Sequence, residues 1–136
     1  MVLNREQQLE MVRALYEKSG NGDWPAAEAM LTDDFYVTEA STLPYAGVYR
    51  GRGALRELFT KVQGTVNFSA LDIKAMTQGD DHVVVILEMV LASTGARVQL
   101  AEMLRFRGDR VCEIRPYYFD TVPIVAEAEA VKRARG

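Results

Sequence analysis

The spacing of apolar and polar residues divides the chain into helical stretches followed by a run of strands. Near the start, Leu9, Val12, Leu15 and Tyr16 fall on one helical arc, with Met11 at its edge. Asn4 and Gln7 form a capping box ahead of that arc, and Gly20-Asn21-Gly22 stops it. Asp23 caps a second, short helix with Pro25 in its first turn, where a missing N–H costs little. That helix is expected to run over 26–31, with Asp33-Asp34 marking its end. A strand over 35–39 follows, then a long loop broken by Pro44, Gly47, Gly51 and Gly53. Ala54, Leu55, Leu58, Phe59 and Val62 then give the stripe of a helix lying on a core.

After Gly64 the period changes to two. Strands are predicted over 68–77, 82–93, 97–106 and 111–119, separated by Gln78-Gly79-Asp80-Asp81, Thr94-Gly95 and Gly108-Asp109. Links this short favour antiparallel neighbours. From Pro123 the chain carries acids early and bases late, which suits a helix dipole, so 123–136 is expected as a peripheral helix or tail. The order α-α-β-α-β-β-β-β in one domain over 1–136 predicts an α+β fold. Its curved antiparallel sheet would wrap around helices and leave a cone-shaped pocket where the two layers cannot fully close.

Two carboxylates break otherwise apolar strand faces. Phe35, Val37 and Glu39 share one face, because side chains alternate along a strand. Val98, Leu100, Glu102, Leu104 and Phe106 share another, on which Glu102 is the one polar member. An acid aimed at a core is either satisfied by a partner or functional. For Glu39 the plain alternative is a strand-end acid, solvated or capping the backbone near Ser41 and Thr42. For Glu102 it is an ion pair with Arg97, Arg105 or Arg115, although Arg97 and Arg105 lie on the opposite face of its own strand. Glu88 is a third candidate, but both faces of its strand are apolar and do not orient it.

Composition narrows the partners. A net charge of −3 and a pI near 5.2 argue against binding nucleic acid or an anionic membrane through charge. No apolar run approaches the ~20 residues of a membrane helix. The polar opening MVLNREQQLE lacks the pattern of a secretion signal, so the expected location is cytoplasmic. Cys112 is the single cysteine, which leaves no intrachain disulfide and no cysteine zinc cluster. His82 beside Asp80 and Asp81 superficially looks like a metal ligand, but consecutive turn residues point in different directions, and no metal is expected. Gly51-Arg-Gly53 lacks the third glycine and the preceding strand of a dinucleotide fingerprint. Arg50, Arg52 and Arg56 read as a solvated rim. No cofactor is expected.

The element order, together with particular residues, resembles the nuclear-transport-factor-two-like superfamily, the cystatin-like α+β cone, and within it the SnoaL-like and ketosteroid-isomerase-like branch. The matching residues are Gly22-Asp23, Leu31-Thr32-Asp33-Asp34-Phe35, Pro44-Tyr45-Ala46-Gly47, Gly51, Ala54, Arg105-Phe106 with Gly108, and the stretch Glu113 to Asp120. The resemblance covers nearly the whole chain through the order and spacing of these residues. It implies that Glu39 falls where the isomerases carry their catalytic base. Glu102 falls on their oxyanion-hole aspartic acid, each acid here being one methylene longer. The oxyanion-hole tyrosine falls on Leu15, with Tyr16 beside it and rotated by about 100°. That departure counts against steroid isomerisation itself. The closing-strand aspartate of the related limonene epoxide hydrolases falls on Tyr117, which disfavours that chemistry.

These readings lead to a small-molecule enzyme doing cofactor-free acid–base chemistry on a lipophilic carbonyl compound. Isomerisation, cyclisation or dehydration would each fit. The expected catalytic set is Glu39, Glu102 and Tyr16, with Leu15, Trp24, Phe59, Leu100, Leu104 and Tyr118 around the substrate, and Tyr45 and Tyr49 as further pocket aromatics. The alternative is a non-catalytic lipophile-binding or dimerisation module. The pocket is expected between the first helix and the sheet. Glu102 is expected to titrate well above a free glutamate and Glu39 much less, because the loop beyond it would admit water. A homodimer through the outer sheet face is expected, since the 82–93 strand is apolar on both faces.

Overall fold

The computed structural model describes residues 2–136. Helix α1 (Arg5–Gly20) begins with the Asn4–Gln7 capping box and buries Gln8, Val12, Leu15 and Ser19 along one side. Helix α2 (Trp24–Glu28) starts from Asp23, whose side chain accepts from the Ala26 N–H. Strands β1 (Leu31–Glu39) and β2 (Gly47–Arg50) come next, then helix α3 (Ala54–Thr65). Strands β3 (Phe68–Gln78), β4 (His82–Leu91), β5 (Arg97–Arg107) and β6 (Arg110–Tyr118) form a meander, and helix α4 (Val122–Arg135) ends the chain. The fold is α+β.

The strands make one six-stranded sheet in the order β2-β1-β6-β5-β4-β3. Hairpins link β3 to β6 as antiparallel neighbours, as their short turns require. β1 instead lies parallel to β6, with Val37 opposite Ile114. The second helix therefore ends three residues earlier than its composition suggests. The Val111 N–H takes the Met30 carbonyl at 2.9 Å, and Leu31 enters the sheet opposite Val111. A ladder partner from the far end of the chain thus overrides the helical propensity of 26–31.

The stretch read as a long loop contains β2, which pairs antiparallel with Tyr36–Glu39. Four residues with one buried side chain, Tyr49, are too few to show a period. Gly51 sits at φ +95, where a side chain would be strained, and its N–H donates to the Phe35 carbonyl. The intervening link 40–46 exposes Ser41, Thr42 and Pro44 but folds back over the end of β1. Leu43 and Tyr45 are buried, and Leu43 and Ala46 close successive turns onto Ala40 and Leu43.

Alternation along β4 turns Val83, Val85, Leu87, Met89 and Leu91 inward, leaving Val84, Ile86, Glu88 and Val90 on the outer face. Charges on that outer face are paired. Arg97 holds Glu88 at 2.7 Å, while Glu113 is buried between Arg105 at 2.9 Å and Arg115 at 3.3 Å. No described helix is long and apolar enough to cross a membrane.

The C-terminal segment is a docked helix. Ile124, Glu127 and Val131 are buried along α4, and Arg135 donates to the Gly64 carbonyl at 2.6 Å. Glu127 is fully buried, and its carboxylate accepts from the Ser93 and Thr94 N–H groups and the Thr94 hydroxyl. Burial would push this acid upward, but the hydrogen bonds from Ser93 and Thr94 outweigh it and hold the carboxyl below the usual carboxylate range.

Removing the Glu127 carboxylate should leave the Ser93 and Thr94 donors of the β4–β5 turn without their protein acceptor. Glu127→Ala should cost about 2–3 kcal/mol at neutral pH, read from urea melts. Because the folded state binds the proton less tightly than the unfolded one, the stabilisation is present above pH ~4.3 and fades as pH falls below it. Glu127→Gln should flatten that acid limb. An unchanged acid limb would show that the carboxylate contributes nothing through its charge.

Candidate active site

A cavity of about 240 Å³ opens between the concave face of the sheet and α3, with the C-terminal end of α1 at one side. The sheet supplies inward side chains from every second position: Val37 and Glu39 of β1, Ile114, Pro116 and Tyr118 of β6, and Leu100 and Glu102 of β5. Leu87 and Met89 continue this wall on β4. Helix α3 lays Leu55, Leu58, Phe59 and Val62 across it. The principal cover is therefore α3, whereas α1 contributes Tyr16 and Gly20. No lysine or arginine lines the cavity.

Strand register fixes how the acids relate. Glu102 lies opposite Pro116. Val37 lies opposite Ile114, and two residues further on each strand bring Glu39 alongside Pro116. Glu39, Pro116 and Glu102 thus stand on one rung across three strands. Adjacent strands are ~4.8 Å apart, so the backbones of the two glutamates are separated by about 10 Å, with both carboxyls aimed into the space between. Pro116 has no N–H to give the ladder, and its flat ring makes an apolar floor between the two acids.

The two acids have different surroundings. Tyr16 donates its hydroxyl to Glu102 Oε1 at 2.7 Å. Glu102 is half-buried, its remaining surface lying inside the cavity. Burial raises its carboxyl and the Tyr16 bond pulls it back in part. Tyr16 is held protonated by burial and by the facing carboxyl. Glu39 is more enclosed: the residue is 6% exposed, and its Oε1 is buried without a hydrogen-bond partner. Burial, with the nearby Glu102 carboxyl adding to it, pushes Glu39 up to about 8. This overturns the expectation that water reaches Glu39 through the loop beyond it. The reason is the 40–46 link, which folds Leu43 and Tyr45 into the core.

Other expected residues are distributed as follows. Phe59, Leu100 and Tyr118 line the cavity. Leu15 and Leu104 lie behind the Tyr16–Glu102 pair, around an annex of about 30 Å³. Trp24 is outside the cavity, meeting the back of Phe59 edge-on with centroids 5.2 Å apart. Tyr49 is also outside the lining; its hydroxyl donates to the Tyr45 carbonyl at 2.9 Å. Tyr45 does line the cavity, and its hydroxyl meets that of Tyr118 at 3.0 Å. Glu88 faces outward to Arg97. His82 bonds Asp81, and among the described residues no three His, Cys, Asp or Glu side chains gather as a metal site. Sequence reasoning passed over Pro116, and over Phe68, Leu71 and Gln63 at the mouth, whose edge strand and helix end carry no polar anomaly.

The chain matches the family model of the SnoaL-like domain over residues 12–114, and it belongs to that family. No curated protein matches it by sequence. Among solved structures, an NTF2-like protein from Burkholderia xenovorans LB400 superposes with a TM-score of 0.79 at 22% identity, covering 92% of this chain and 98% of that one. TerC, co-crystallised with polyporic acid, gives 0.78 at 17% identity over 90% and 98%. A protein with a cystatin-like fold from Methylobium petroleophilum PM1 gives 0.74 at 14% identity over 88% and 80%. At these identities the likeness is one of fold: nuclear transport factor 2-like, cystatin-like.

Enclosing Glu39 ties the stability of the fold to its proton. The folded pKa of about 8 lies above the ordinary ~4.3, so the stabilising state is the protonated one. Stability should be greatest below pH ~4.3, apart from other acids, and decline as pH rises towards 8. Thermal melts of Glu39→Gln should lack that decline between neutrality and pH 8. Parallel profiles for wild type and variant would show that the acid is hydrated.

Proposed function

We propose that the protein is a small-molecule enzyme that performs cofactor-free general acid–base chemistry on a lipophilic carbonyl compound. The observation that carries this reading is the enclosed Glu39, its Oε1 buried and without a partner among the described residues, on the wall of the same cavity as the Tyr16–Glu102 pair. Ionised Glu39 takes a proton from the carbon beside the carbonyl, and the C–H electrons move into an enolate. Glu102, neutral through burial, accepts from Tyr16 on one oxygen and donates from the other to the enolate oxygen. Returning the proton to a different carbon completes an isomerisation with nothing gained or lost; attack of the enolate carbon on a second carbonyl makes an alkoxide, and return of the Glu39 proton to that oxygen completes a cyclisation. Phe59, Leu100 and Tyr118 hold the apolar body of the substrate. Membership of the SnoaL-like family supports this class of chemistry, and TerC, co-crystallised with polyporic acid, is a structural neighbour bearing a small organic molecule.

Glu39→Gln keeps the size of the side chain and removes its basicity. Turnover of an activated C–H probe in a flat apolar body should fall by ~10²–10⁴-fold, with Glu39→Asp milder. In wild type, kcat/KM should rise about tenfold per pH unit and level off near pH 8, because only the ionised base is active. Equal turnover by wild type and Glu39→Gln would remove Glu39 from the mechanism. The apolar walls also suit a lipophile-binding module, and probes that bind tightly with no turnover would favour that reading.

We also propose that the protein works as a homodimer through the outer face of the sheet. Val84 and Ile86 lie on that face with Met103 and Ala101 across from them on β5, and Val90 continues it opposite Arg97, flanked by the charged pairs. Ile86 is 39% exposed in the single chain and would be covered. Light scattering at micromolar concentration should report twice the chain mass, and Ile86→Lys should shift it to the monomer. A wild-type monomer under those conditions would sink the proposal.

A further inference from the structure

The cavity holds a second polar pole that the acid–base chemistry does not use. Tyr45 and Tyr118 meet hydroxyl to hydroxyl at 3.0 Å on the cavity wall. Each hydroxyl carries one hydrogen, and their mutual bond consumes one of the two. Among the described residues no protein acceptor takes the other. The pair is steered rather than loose. Tyr45 is 1% exposed, and its backbone carbonyl is fixed by the Tyr49 hydroxyl at 2.9 Å. A polar pair so enclosed, with a donor hydrogen to spare, has a ligand's oxygen as its natural partner.

Register places this pole relative to the acids. Tyr118 is two residues beyond Pro116 on the same face of β6, opposite Leu100. It is therefore displaced about 7 Å along the strand from the Glu39–Pro116–Glu102 rung. Tyr45 rises from the link that leaves β1 just after Glu39. Glu39, the Tyr16–Glu102 pair and the Tyr45–Tyr118 pair thus mark three corners of a cavity wall that is apolar between them.

We infer that the Tyr45–Tyr118 pair is a specificity site for a second oxygen of the substrate, which makes the substrate class a compact ring compound with oxygens at both ends rather than a lone ketone. Tyr118 makes the contact, and Tyr45 positions it. The inference rests on the proposed function to the extent that Tyr16–Glu102 takes the first oxygen.

The test is equilibrium binding, which is independent of turnover. The probes are 2-naphthol, with one oxygen, and the dihydroxynaphthalene whose hydroxyls lie at opposite ends. Wild type should bind the diol about 5–10-fold more tightly than 2-naphthol, beyond the factor of about two given by its symmetry. In Tyr118→Phe the preference should fall to that factor, with a thermal melt matching wild type showing the variant to be folded. Tyr45→Phe should give an intermediate loss confined to the diol. Tyr16→Phe should weaken both probes alike. Equal binding of the two probes by wild type, a preference surviving in Tyr118→Phe, or no binding of either would overturn the inference. Failure of the base assignment would appear instead as unchanged turnover in Glu39→Gln and would leave these affinities as they are.

Discussion

A carboxylate taken out of water loses several kcal/mol of hydration, so a fold that encloses one without a partner must keep it neutral or await a partner from outside. Glu39 is in that position because three segments close on it. Alternation along β1 turns it inward after Phe35 and Val37, the parallel ladder to β6 fixes the strand, and the 40–46 link packs Leu43 and Tyr45 over its end. Each of these contacts is ordinary core packing. Together they leave the Glu39 Oε1 dry and unpaired.

The same sheet sorts its charges by face. On the outer side every buried or half-buried acid has an arginine: Glu88 has Arg97, and Glu113 has Arg105 and Arg115. On the inner side, among the described residues, Glu39 and Glu102 have none, and the one side-chain hydrogen bond to either is from the Tyr16 hydroxyl to Glu102. Exchanging a residue between faces would need a one-residue slip of register, which would also expose Val98, Leu100 and Leu104. The inner acids are thus kept away from cations by the packing of their apolar neighbours.

Much of this arrangement could be read in the residues themselves. The period-two faces located the strands of the meander and turned both glutamates inward, since a lone acid among Val98, Leu100, Leu104 and Phe106 has only one consistent orientation. Contacts between distant parts of the chain could not be read that way. The early end of α2 depends on a hydrogen bond from Val111, and β2 is too short to carry a period. Trp24 was misplaced because an aromatic at the first turn of a short helix has no stripe to orient it; it packs behind Phe59 instead. The enclosure of Glu39 was missed because Pro44 and the glycines around it signalled an exposed loop, while Leu43 and Tyr45 packed inward.

The parallel pairing of β1 with β6 also has a consequence for how the protein is made. The β1–β2 hairpin and the β3–β6 meander are built from local contacts and can form as their residues become available. The joint between them cannot, because Leu31 and Val37 wait for Val111 and Ile114, which lie near the far end of the chain. Until then β1 has an open edge, and Phe35 and Val37, both buried in the finished protein, lack their cover. Glu39, Pro116, Glu102 and Tyr118 are brought together only when that joint closes. The pocket therefore depends on a joint between distant parts of the chain, and its walls are complete only when β1 and β6 have met.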